Sequence, residues 1–165
     1  MSSIEGFVFI KEASHELESA DALFQRKYRL SLPAFPHHVV ANYRAADGST
    51  AVACYIHFTD CGDLMLGGGA CSDDRVLRRM DAAQRLAVRD AGGLYLHTLK
   101  WSLRHFGPRF SAIFGYCGDA LAERVDRAAG FQSTDHPHLL VYWTRVVDQN
   151  SRAQVIAKAN SFTPF

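Results

Sequence analysis

Three features of the sequence predict an α+β domain. The first half alternates apolar and polar residues in short runs, the signature of half-buried strands. The second half holds a compact unit, Ile113 to Phe131, in which an apolar run meets a Gly-Asp break, one amphipathic segment and a Gly-Phe stop. It reads as a strand feeding a helix that packs back on the sheet. Just before it, Arg85 to Arg89 leads through Asp90-Ala91-Gly92-Gly93 into Leu94 to Phe106, which reads as a second strand-helix unit.

The elements follow in order. Gly6 to Glu12 alternates and is predicted as the first strand. Ser14 is placed as the N-cap of a helix through Leu30, with Leu17, Ala20, Phe24 and Tyr28 on one face. Pro33 and Pro36 end that helix and extend the chain. His38 to Arg44 and Thr50 to Phe58 alternate around Ala46-Asp47-Gly48-Ser49, a hairpin signal. Gly62 to Asp81 allows two registers. In one, Leu64 to Ala70 is the fourth strand and Asp74 to Arg89 a helix. In the other, Gln84 to Val88 is the fourth strand. Tyr95, Leu99, Ser102 or Leu103, and Phe106 form the inner face of the next helix. Ala120 to Ala129 is the helix after the strand ending at Tyr116, with Asp119 as its cap, Leu121, Val125 and Ala129 as its apolar repeat, and Gly130 as its left-handed stop. His138 to Val146 completes the sheet, Asp148 to Asn160 is a polar helix, and Phe162 and Phe165 of the tail dock either on the core or on a second copy of the chain.

Composition narrows the functional classes. The 165 residues, 48% hydrophobic and 12% aromatic, can bury one sizeable core without disulfides or metal, so one domain over residues 1–165 is expected. A net charge of +1, with Lys and Arg spread along the chain, argues against nucleic acid as the partner. Apolar runs fall short of the roughly 18 residues of a membrane span, and the first residues lack a signal-peptide layout, which reads as cytoplasmic. Cys54, Cys61, Cys71 and Cys117 show no metal-ligand spacing, and with His37-His38 and His136-Pro137-His138 read as solvated loop histidines, no metal is expected.

The segment Asp119 to Phe131 resembles the GCN5-related N-acetyltransferase superfamily, whose members commonly show Asn-x-x-Ala-x-x-x-Tyr-x-x-x-Gly-Phe after the fifth strand. Asp119 stands at the Asn position, Ala122 at the Ala, Asp126 at the Tyr, and Gly130-Phe131 at the end. Val88, Arg89, Gly92 and Gly93 match part of the family's phosphate-loop pattern. Arg85-Leu86-Ala87-Val88, with Arg26-Lys27-Tyr28-Arg29, is similar to elements of N-acyl amino acid synthases and acyl-homoserine lactone synthases, a resemblance that favours Gln84 to Val88 as the fourth strand. The resemblance implies a mixed, mostly antiparallel central sheet with helices on both faces (α/β/α), and acyl transfer from acyl-coenzyme A or an acyl-carrier protein to an amine of a small molecule or peptide. It implies that Leu86, Ala87, Val88 and Arg89 lie beside the thioester and that Gly92 and Gly93 offer amides to phosphate. Gly92-Gly93 as a plain tight turn is the alternative.

Acyl transfer needs a neutral amine, hydrogen-bond donors for the oxyanion and a proton for the leaving thiolate. Tyr116, at a strand end, is the candidate proton donor, and a half-buried aromatic is its plainer reading. Asp81, Asp63 and His57 are candidate general bases. Ala82 occupies the position where related enzymes carry a glutamate, and Asp63 reads as a turn residue. His57 shares parity with Tyr55 and so one face of its strand. Cys117 has no companion pattern that marks an activated nucleophile. Arg75, Arg78 and Arg79 suit either an acidic carrier protein, the phosphates of coenzyme A, or solvent. A non-catalytic module that keeps the fold for ligand binding or protein interaction is the alternative from another class.

Overall fold

The computed structural model describes residues 3–165. Among them, seven strands join one sheet in the order β1-β2-β3-β4-β5-β7-β6. The strands are β1 (Val8–Glu12), β2 (His37–Arg44), β3 (Thr50–Cys61), β4 (Leu64–Ser72), β5 (Ala112–Tyr116), β6 (Gln132–Ser133) and β7 (Leu139–Trp143). The helices are α1 (Leu17–Tyr28), α2 (Asp74–Arg79), α3 (Ala82–Asp90), α4 (Leu94–Phe106), α5 (Ala120–Ala129) and α6 (Gln149–Asn160). The α+β class and the mixed, mostly antiparallel sheet are as predicted. β1–β2, β5–β7 and β6–β7 run antiparallel, and β4–β5 runs parallel from Leu64↔Ala112 to Gly67↔Gly115.

The described residues divide into two compact units, residues 3–57 with 69–98, and residues 58–68 with 99–165. In the first, strand alternation sends neighbouring residues to opposite faces. Val40, Val52, Tyr55 and Cys71 pack on Ala20, Leu23 and Phe24 of α1. Ala41, Tyr43, Ala53 and Cys54 belong instead to a cluster with Val76 and Met80, Val88 of α3 and Leu94 of α4. The hairpin between β2 and β3 turns where predicted: Gly48 takes φ +83°, and the Asp47 carboxylate accepts from the Ser49 amide at 2.9 Å. In the second unit, Leu64, Leu66, Ala112, Phe114, Leu139 and Val141 form one layer with Ala159 of α6. Phe165 packs against this layer, so that part of the tail docks on its own chain, while Phe162 is exposed.

The fourth strand is the main correction. Leu64–Ser72 is β4, and Gln84 to Val88, with Leu86, Ala87 and Arg89, is helical within α3. Burial decides it: Leu64, Met65 and Leu66 are almost fully enclosed, whereas Leu86 is 46% exposed and only Val88 of that run is buried. Local chemistry agrees. Asp81 and Gln84 form a capping box, with the Asp81 carboxylate accepting the Gln84 amide at 2.8 Å and the Gln84 side chain accepting the Asp81 amide at 3.1 Å. Gly92-Gly93 then closes α3 by the Schellman pattern: Gly93 donates to the Val88 carbonyl and Gly92 to the Arg89 carbonyl, both at 2.9 Å and both glycines at positive φ. The pair is thus a helix-to-helix turn leading into α4.

Smaller corrections have the same origin. Ser14 caps nothing; its amide donates to Glu16, and α1 begins at Leu17 with Leu23 rather than Leu17 or Tyr28 on the buried face. In α5, Leu121 of the predicted apolar repeat is 67% exposed, while Val125 and Ala129 are half-buried beside the buried Asp126. The cap and stop of α5 stand as predicted: the Asp119 carboxylate accepts from the Leu121 and Ala122 amides at 2.8 Å, and Gly130 and Phe131 close the end onto the Arg127 and Asp126 carbonyls. His37 and His38 lie on β2 rather than in a solvated loop.

These caps yield a paired test by urea unfolding. Asp119→Ala is expected to lower stability by about 1 kcal/mol, because two amides lose their acceptor. Ser14→Ala should leave it within about 0.5 kcal/mol, because the Ser14 hydroxyl caps no helix and, among the described residues, meets only its exposed neighbour His15.

Candidate functional site

In the first unit the polar focus is His57, near the middle of β3. Its ring is 4% exposed and enclosed by aromatic neighbours: Phe35 at 4.6 Å between centroids, and Phe24 and Tyr55 each at 5.7 Å. Nε2 accepts the Gly69 amide at 2.8 Å. A neutral imidazole carries one acceptor and one donor nitrogen, so Nδ1 bears the hydrogen. That N–H has no hydrogen-bond partner among the described residues. Burial first, and then neighbouring His38, hold the ring's pKa down to about 4, so it is neutral at physiological pH.

Glycines make this arrangement possible. A Cβ on Gly69 would meet the His57 ring at 3.1 Å and Phe24 at 3.2 Å; a Cβ on Gly67 would meet the Phe58 ring and the Phe114 carbonyl, each at 3.2 Å. Gly67 thus sits beside Phe58 and Gly69 beside His57.

Around the ring, the chain is tied down by polar contacts. His38 Nδ1 lies 2.6 Å from the Tyr55 hydroxyl, and a hydrogen bond to the Phe35 backbone favours the charged form of His38 against the larger effect of burial, which lowers its pKa. Tyr28 donates to the Ala70 carbonyl. Arg26 pairs at 2.6 Å with Asp73, whose other oxygen caps α2 through the Arg75 amide. Burial pushes the Cys71 thiol up to about 12 and raises Cys54 as well, so neither is a ready thiolate.

In the second unit, Tyr116 ends β5 and is half-buried, its ring against His138 at 5.8 Å and Phe165 at 6.1 Å. Cys117 is buried, donates to the Asp119 carbonyl at 3.2 Å, and has its pKa raised by burial, which disfavours a nucleophilic thiolate. His138 adopts φ +66°, and its Nδ1 lies 3.2 Å from the Cys117 carbonyl. The Asp126 carboxylate is buried beside Gly115, where a Cβ would stand 3.9 Å from it. A polar cleft of about 300 Å³ opens nearby among Glu123, Arg127, Ser133, Asp135, His136 and His138.

The sequence candidates therefore separate. His57 is the buried centre of the first unit, while the Asp81 carboxylate is exposed and engaged in the α3 cap. Asp63 accepts the Ser111 hydroxyl at 2.9 Å, beside the turn that joins β3 to β4. Leu86, Ala87, Val88 and Arg89 have lost the strand that made them thioester contacts in the sequence reading. Gly69 and Phe35 went unread, and His38 and Asp126 were named without the contacts they make. Phe35 lies in an aperiodic Pro-rich connection, and a single glycine in a run of three carries no pattern that marks which one a side chain approaches.

The architecture can now be compared with solved structures. The ribosomal-protein-S18-alanine N-acetyltransferase from Escherichia coli superposes over 87% of this chain and 97% of its own, with a TM-score of 0.52 at 13% identity. Tetrahymena GCN5 matches over 81% and 90% (TM-score 0.51, 13% identity). The ribosomal-protein-S5-alanine acetyltransferase from Vibrio fischeri matches over 84% and 93% (TM-score 0.51, 9% identity). The fold is that of the GCN5-related N-acetyltransferases. No protein-family model matches the sequence, and no curated protein does.

The burial of His57 has a pH consequence. Its folded pKa lies below its unfolded value, so between about pH 6.5 and 4 the unfolded chain takes up a proton that the folded chain refuses, and stability falls as pH falls. For this ring alone the loss approaches about 3 kcal/mol. Urea unfolding from pH 7 to 4 should show a smaller slope in His57→Gln than in the parent; equal slopes would place the acid sensitivity elsewhere.

Proposed function

We propose that the protein is an acyltransferase that moves an acyl group from acyl-coenzyme A, or an acyl-carrier protein, to an amine. The observation that carries this reading is the fold, which it shares with enzymes named for N-acetylation of ribosomal-protein alanine. Two features of the chain support it. Gly67-Gly68-Gly69 of β4 present backbone without side chains, and glycine permits the close approach that a bound thioester requires. Tyr116, at the end of β5, carries a hydroxyl suited to protonate a leaving thiolate. In the reaction a neutral amine adds to the thioester carbonyl, the C–S bond breaks as the amide forms, and the amine's lost proton is balanced by the one the thiolate gains.

His57 enters differently from a general base. Its acceptor nitrogen is occupied by the Gly69 amide, so the ring offers a hydrogen rather than a lone pair. The amine then reaches the site already neutral or loses its proton to water or to another group. A second reading, a non-catalytic module with this fold, is favoured by one observation: the Asp81 carboxylate and the His57 lone pair, both read as candidate bases, are each held in structural hydrogen bonds.

Calorimetric titration with acetyl-, octanoyl- and palmitoyl-coenzyme A tests the donor, and thiol release across a panel of amino acids, peptides and polyamines tests turnover. Saturable binding with acceptor-dependent thiol release is expected; binding without release supports the module. Tyr116→Phe is expected to lower turnover at least tenfold, within the range for loss of a general acid, with donor affinity nearly unchanged. An unchanged rate removes Tyr116 from the proton route.

A further inference from the structure

We propose that His57 is the polar anchor of a ligand pocket in the first unit, where its Nδ1–H takes a carbonyl or carboxylate oxygen borne on an apolar chain and Phe35 is the pocket's cover. The inference rests on the acyl-transfer reading and deepens it, because that ligand chemistry is an acyl group.

The first ground is the orphaned hydrogen. A buried donor without an acceptor costs about 1–3 kcal/mol, and folded proteins leave few of them. His57 cannot relieve this by exchanging nitrogens, because the Gly69 amide is also a donor and needs Nε2 as its acceptor. It cannot relieve it by losing charge, since it is already neutral. An incoming oxygen is the chemistry that completes the site. A cation would not serve, since the open atom is a hydrogen donor.

The second ground is the wall. Phe24, Tyr55 and Phe35 enclose the ring, and the Tyr55 hydroxyl is engaged by His38. The surroundings therefore suit hydrocarbon, with one hydrogen bond to fix orientation.

The third ground is the cover. Phe35 belongs to the connection between α1 and β2, where Pro33 and Pro36 flank it, and it is half-buried while Val39 and Val40 just beyond are fully buried. Its ring makes the shortest aromatic contact to His57, and its backbone is tied to His38. Moving this one side chain uncovers the imidazole and leaves the strands beneath in place. His38 reports the motion because it bonds to the same residue.

The oxygen belongs either to a donor's acyl group or to a free carboxylate, and two probes separate these sources. Protein labelled with ¹⁵N-histidine is titrated with sodium octanoate and, separately, with octanoyl-coenzyme A, and the imidazole nitrogens of His57 and His38 are followed by NMR, assigned through His57→Gln and His38→Gln. A saturable shift at His57 Nδ1 with one probe or both, accompanied by a change at His38, is the expected result. A shift with octanoate alone supports the pocket and counts against acyl-coenzyme A as donor. Binding of octanoyl-coenzyme A that leaves His57 unmoved overturns this inference while the acyl-transfer reading stands, and no response to either probe overturns the pocket. His57→Phe is expected to weaken the active probe by about tenfold, the loss of one hydrogen bond. His57→Gln, which retains an N–H, should recover most of it. Should His57→Phe fail to fold, the shift in the unaltered protein decides.

Discussion

The hydrogen bond from the Gly69 amide to His57 Nε2 ties β4 to β3 through a side chain. A backbone amide enclosed without an acceptor is costly. The imidazole supplies that acceptor from a side chain. It does so only if it is neutral, so its burial among Phe24, Phe35 and Tyr55 and its depressed pKa belong to the same structural solution. The absence of a side chain on Gly69 is equally necessary, because a Cβ would press on the ring.

From that constraint the rest of the first unit follows. α1 is placed by Ala20, Leu23 and Phe24, which pack on the face of the strands that also carries Tyr55 and Cys71. The opposite face is closed by α2, α3 and the start of α4, with tight capping at each junction: Asp73 for α2, the Asp81–Gln84 box for α3, and the two glycines between α3 and α4. The second unit is organised separately, by the parallel ladder of β4 with β5 and the return of β7 beside β5.

Much of this architecture was legible locally. The hairpin at Asp47-Gly48, the Asp119 cap, the Gly130 stop and the extent of α4 are written in short patterns whose physics is complete within a few residues. The fourth strand was not. Leu64-Met65-Leu66 followed by three glycines looks poor as a strand, because glycine gains little there on its own, and Arg-Leu-Ala-Val scans as a strand almost as well as a helix. Of the candidate site, His57 could be placed on a strand face beside Tyr55, but its role could not. Which ring nitrogen is used depends on an amide twelve residues away.

Taken alone, then, the sequence determined the class of the fold, the turns and caps, and the kinds of chemistry available: imidazoles, a strand-end tyrosine and glycine-rich backbone. These depend on local conformational preference, hydrophobic period and side-chain identity. Only the tertiary structure decided which segment became the fourth strand, that Asp126 is buried, and that His57 presents a hydrogen rather than a lone pair. Each of those outcomes is set by what packs against the residue across the fold, and burial and hydrogen-bond partnership between distant segments have no counterpart in a local pattern.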